Sequence, residues 1–196
     1  RKINMKKLLV FALVAMVAAS AMAQTLQGIA NSYIYDVAND VWYQGSGSGG
    51  WAIGGAFQSH DFGIIESLTL GGQAATWQGG SPNTVATMFW EVFDGEVSQS
   101  SGSMNLDWIN NTGGQYGNDS TWENVTGQNV AAGLAPETKY TVAVWFNAVQ
   151  DGTTTVWDSN GGLNYTADFQ TIPEPATMSL LGLGALAMVL RRKIRK

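Results

Sequence analysis

Residues 24–171 predict an all-β fold, an antiparallel β-sandwich (immunoglobulin/fibronectin-like or jelly-roll-like), flanked by an apolar N-terminal helix and a hydrophobic C-terminal helix. Three observations predict it. Apolar and polar residues alternate with period two in one short run after another. Turn pairs such as Asp94-Gly95 and Asp151-Gly152 fall between those runs. Glycine, threonine, valine, tryptophan and asparagine dominate, and no long stretch shows helical spacing.

Residues 1–4 form an upstream extension before Met5, which reads as the natural initiator. Residues 5–23 read as a secretory signal: Lys6 and Lys7 supply the charge, Leu8 to Ala19 the apolar run, and Ala21-Met22-Ala23 the small-residue site. Cleavage is expected between Ala23 and Gln24, after export through the Sec machinery. Eight to ten short strands are expected, and six stand out in chain order. They are "SYIYDV", "IIESLTL", the long "TVATMFWEVF", "SMNLDWI", the long "KYTVAVWFNAV" and "LNYTADFQT", with "TTTVW" as a hairpin return after Asp151-Gly152. On the strand from Lys139, Tyr140, Val142, Val144 and Phe146 share one face. Trp145 therefore lies on the other, beside Thr141 and Asn147.

"GLAPETKYTVAVWF" resembles the strand E–F corner of fibronectin type III and related immunoglobulin-like domains. The resemblance implies a tyrosine corner, in which the Tyr140 hydroxyl bonds back to the preceding turn. The domain is longer than a fibronectin type III module, so extra strands or a jelly-roll-like variant stay open.

Charge separates the domain from its ends. Basic residues cluster at the two termini, and between residues 24 and 171 one lysine, Lys139, faces fourteen acidic residues, a net −13. That field excludes nucleic acid as a partner, because phosphate binding relies on Lys and Arg. It suits solubility, divalent cations or neutral polysaccharide. With no cysteine, thiolate metal sites, cysteine nucleophiles and disulfides are excluded, and a core must hold the domain together.

Residues 172–196 hold a different signal. Pro173, Glu174 and Pro175 keep the backbone extended, an apolar run follows from Ala176 to Leu190, and Arg191, Arg192 and Lys193 open a basic terminus. The apolar run is shorter than the roughly 20 residues of an untilted membrane span, and the basic cluster would keep that end cytoplasmic. This order of elements resembles the PEP-CTERM sorting signal of Gram-negative bacteria. The resemblance implies recognition by an exosortase, transient anchoring of the C-terminal helix in the inner membrane, and delivery to the cell surface or extracellular matrix. An ordinary single-pass anchor is the alternative for the tail alone.

Candidate sites follow from the aromatic residues. All eight tryptophans lie between residues 24 and 171. Indole faces stack on the C–H faces of sugar rings, so Trp42, Tyr43, Trp51, Trp145 and Trp157 are candidate glycan-binding residues. The competing reading packs most tryptophans in the core. Trp42, Tyr43 and Trp51 bracket a glycine–serine loop that lacks the Gly-Lys-Ser/Thr ending of a phosphate loop. His60, the sole histidine, reads as a surface-turn residue with no nucleophile-elbow signature near it. "DSNGG" at residues 158–162 with Asn164 reads as a structural turn, with a Ca²⁺ loop as the lesser alternative. No catalytic residues, cofactor or metal site are expected. Two function classes remain: a non-enzymatic surface or matrix protein, adhesive or associated with extracellular polysaccharide, and a small carbohydrate-active enzyme, either glycoside hydrolase or lyase.

Overall fold

The computed structural model describes residues 28–46, 52–77, 83–111, 120–150 and 154–172. The expected signal segment with Ala23 and Gln24, Trp51, the expected turn at Asp151-Gly152 and the tail from Pro173 lie outside them. Ten strands run through the described residues: β1 (Gly28–Asp36), β2 (Val41–Ser46), β3 (His60–Ile65), β4 (Thr69–Trp77), β5 (Asn83–Asp94), β6 (Val97–Asn111), β7 (Ser120–Asn129), β8 (Lys139–Gln150), β9 (Thr154–Asp158) and β10 (Tyr165–Thr171). A single 3₁₀ turn at Asn160–Gly162 is the one helical element among the described residues. The all-β expectation holds.

The strands form one curled sheet in the order β2-β1-β4-β7-β6-β5-β8-β10-β3, with β9 added to β8. Two features differ from an antiparallel sandwich of separate sheets. The sheet is continuous, because β6 pairs with β5 from Val97 to Leu106 and with β7 from Asp107 to Asn111. It is also mixed, because β3 runs parallel to β10. The expected strand "IIESLTL" breaks for the same reason. Ile64 and Ile65 end β3 beside β10, while Thr69 starts β4 between β1 and β7.

Alternation sets the core. On β5, Ala86, Met88, Trp90 and Val92 are buried, and on β8 so are Tyr140, Val142, Val144, Phe146 and Ala148. These meet Ile34, Leu70, Ala74, Trp122 and Phe169 in one hydrophobic cluster. The Asp94-Gly95 turn is present as expected: Asp94 pairs with Val97, and Gly95 takes the positive φ of 58° that glycine tolerates. The Tyr140 hydroxyl donates to the Ala135 carbonyl at 3.3 Å, so the corner bond implied by the resemblance is there.

The two ends of the strand order are drawn together. Gln44 on β2 accepts from the Phe57 N–H at 2.9 Å and donates its own N–H to Gly55 at 2.7 Å. Two residues past Phe57, Ser59 donates to Thr166 on β10 at 2.7 Å. Phe57 is wholly buried at this join. A polar cluster reinforces it: Ser46 on β2 donates to Asp158 on β9 at 2.5 Å, and Tyr165 on β10 donates to the other oxygen of the same carboxylate.

Candidate functional site

The residues that face outward on β5, β8 and β9 are those alternating with the core positions. Phe89 lies between buried Met88 and Trp90, and Trp145 between buried Val144 and Phe146. Register then decides which of them meet. Phe89 is directly opposite Trp145, and Asn147, two residues along the same face, is opposite Trp157. The Phe89 and Trp145 rings stack with centroids 5.7 Å apart and planes within 7°. Trp157 sits 5.9 Å from Phe89 at 36° and is 57% exposed.

Polar groups surround these rings. Ser103 is opposite Phe89, Ser101 opposite Glu91, and Thr87 stands between Asn105 and Asn147. A shallow hollow of about 310 Å³ is lined by Phe89, Glu91, Ser101, Ser103 and Trp145. Nearby, the Asn147 side-chain oxygen is buried and has no hydrogen-bond partner among the described residues. An unpaired acceptor of this kind costs free energy until a donor reaches it. Apolar faces with hydroxyls, amides and one carboxylate at the margin can stack on sugar rings and exchange hydrogen bonds with their hydroxyls.

The other aromatic candidates do not join this surface. Trp42 stacks on Tyr35 with centroids 4.5 Å apart, and the Tyr35 hydroxyl donates to Asp40 at 2.7 Å. That bond, with desolvation behind it, raises the Tyr35 pKa. Tyr43 as a glycan contact is corrected: it is 7% exposed, because it alternates with Trp42 and turns inward onto Phe57, His60 and Phe62. The His60 surface-turn reading is corrected by the same cluster. Its ring lies 4.4 Å from Tyr43 and 4.6 Å from Phe62, at the start of β3. Trp90 and Trp122 are core residues, and the Trp122 indole N–H donates to Thr76 at 3.2 Å. Trp51 lies outside the described residues.

Phe89, the residue that joins the two tryptophans, was missed. Its outward phase is visible in "TVATMFWEVF", but its place opposite Trp145 depends on a register between strands distant in sequence. Asp158, which opens the "DSNGG" turn, has both carboxylate oxygens occupied by Ser46 and Tyr165, which makes it a structural group. Among the described residues no group of His, Cys, Asp and Glu is arranged to hold a metal ion.

A second concavity, of about 480 Å³, opens where β3, β8 and β10 meet the β5–β6 turn, with Asp61, Asp94, Lys139, Thr141 and Asp168 among its lining. Asp61 and Asp168 are side by side in the parallel register. Asp168 accepts from the Thr141 hydroxyl at 2.7 Å, and Asp61 accepts from the Gly63 N–H at 2.8 Å.

Comparison with known proteins adds one match. Residues 171–193 match the family model described as the PEP-CTERM protein-sorting motif. The chain therefore carries the sorting signal of an exosortase substrate, and the match covers the predicted motif at Pro173, Glu174 and Pro175 together with Arg191, Arg192 and Lys193. A search of curated proteins finds no match. Among the described residues no helix is long and apolar enough to cross a membrane. The run expected to do so, Ala176 to Leu190, lies outside them.

Proposed function

We propose that this is an exported, exosortase-sorted protein of the cell surface or extracellular matrix, whose β-domain makes non-enzymatic contact with extracellular polysaccharide. The sorting signal supports the destination. Export through the Sec machinery, transient anchoring by the C-terminal helix and removal of residues 1–23 belong to the same reading. The observation that carries the contact role is the outward cluster of Phe89, Trp145 and Trp157, edged by Ser101, Ser103, Asn105 and Thr87. A net −13 over residues 24–171 turns the domain away from polyanions and favours an uncharged polymer.

The enzyme reading rests on the carboxylates of Asp61, Asp94 and Asp168 around the 480 Å³ cleft. Glycoside hydrolysis uses a carboxylate pair. One experiment separates the two. Protein recovered from producing cells is co-sedimented with a panel of insoluble neutral polysaccharides, and released reducing ends are measured in the same tubes. Trp145→Ala and Phe89→Ala should each weaken retention by about five- to thirtyfold, the cost of losing a central aromatic contact. Trp42→Ala should leave retention unchanged. Equal retention by the Phe89, Trp145 and Trp157 alanine variants would remove the surface from consideration. Reducing ends released without retention would favour the enzyme.

A further inference from the structure

The sorting signal and the folded domain overlap. The family match begins at Thr171, which is also the last residue of β10. Thr171 is fixed firmly: its N–H donates to the Thr138 carbonyl at 3.1 Å, its hydroxyl donates to the Ala135 carbonyl at 2.7 Å, and that oxygen accepts the Thr138 N–H at 3.2 Å. It is 8% exposed. Ile172 is held too, its N–H donating to Ile65 at 3.0 Å and its carbonyl accepting from Glu137 at 3.4 Å.

Only Pro173, Glu174 and Pro175 separate Ile172 from the apolar run at Ala176. Three residues reach about 11 Å at most when fully extended. An enzyme that reads an extended peptide requires backbone on both sides of its motif, and here the N-terminal side is committed to the sheet. The domain precedes the tail in the chain, so it can fold before the tail is read.

Resting on the exosortase reading above, we propose that the sorting enzyme acts on a locally opened state in which Thr171 and Ile172 have left the sheet, so that the folded domain sets the rate of its own processing. Strand ends open at far lower cost than the whole domain. The bonds that hold Thr171 and Ile172 set how often the motif becomes accessible. The hydroxyl of Thr171 is the adjustable part, since it engages Ala135 and Thr138 while its backbone stays in register with Ile65.

The test is pulse–chase of the full chain in its native host, following loss of the tail. Thr171→Val keeps the shape and removes both hydroxyl bonds; it should be processed about five- to thirtyfold faster, the change in open population for two lost hydrogen bonds. An insert of Gly-Ser-Gly-Ser-Thr-Ile after Ile172 leaves every sheet residue in place and sets a second Thr-Ile pair before Pro173. It should speed processing at least as much, and Thr171→Val added to it should have no further effect. Wild-type or slower processing of the insert variant would overturn the proposal, because processing would then precede folding or require the domain close by. Glu174→Ala serves as the control for the underlying reading. If it is processed at the wild-type rate, the sorting reading itself fails.

Discussion

Gly71→Ala is expected to cost the domain about 3 kcal/mol, the upper range for forcing a methyl group into a packed position. A Cβ at Gly71 would lie 2.2 Å from the Asn124 carbonyl oxygen, a main-chain atom. Neither strand can yield. β4 is paired on one side with β1 and on the other with β7, where the register shifts between Leu70 and Gly72. Asn124 is fixed in turn, its side-chain oxygen accepting from the N–H groups of Thr126 and Gly127. A glycine inside a strand often marks such a close backbone approach. Gly95→Ala is the comparison: its φ is positive, yet nothing lies within 4 Å of the added atom, so about 1 kcal/mol of backbone strain is expected. Thermal melts should separate them, with Gly71→Ala lowered by roughly 10 °C. A Gly71→Ala variant that melts with the wild type would contradict the β4–β7 pairing.

Asp158→Ala should be nearly as damaging, about 2–3 kcal/mol, because it removes two bonds to a carboxylate and strands their donors. Ser46 and Tyr165 come from β2 and β10, and Ser46 lies 3.3 Å from the hydroxyl of Ser32, which is fully buried on β1. Loss of Asp158 therefore loosens the join between the two ends of the sheet. The same cluster gives the domain an alkaline limit. Burial, the hydrogen bond to Asp158 and that carboxylate's charge push the Tyr165 phenol from 10.0 up to about 12. The folded state thus keeps a proton that the unfolded chain releases near pH 10. Its contribution is complete below pH 10 and is lost as pH rises through 12. Denaturation midpoints measured across that window should fall with pH, and Tyr165→Phe should flatten the slope. A midpoint that does not change between pH 10 and 12 would remove this role for Tyr165.

What the sequence made legible was what alternation alone controls. The strands β5 and β8, the common face of Tyr140, Val142, Val144 and Phe146 and the placement of Trp145 on the opposite face follow from period two in long runs, and the Asp94-Gly95 turn from its residue pair. The Tyr140 bond came from a resemblance and is present. The strand β7 was not legible: only Trp122 among its residues is buried, and Asn124 and Gly127 interrupt any alternation. β2 was hidden inside a stretch that reads as a glycine–serine loop. Tyr43 was placed outside because its burial depends on Phe57, His60 and Phe62, which reach it only through the join. The curl of the sheet and the parallel β3–β10 pair depend on long-range register, which no local pattern carries. Phe89 meets Trp145 for the same kind of reason.

The most direct test of the account is the intact mass of the protein recovered from the surface of producing cells. The predicted species starts at Gln24 and lacks Arg191, Arg192 and Lys193, since both the export signal and the sorting tail have then been processed. Surface protein that still begins at Met5, or that retains the basic cluster through Lys196, would contradict it.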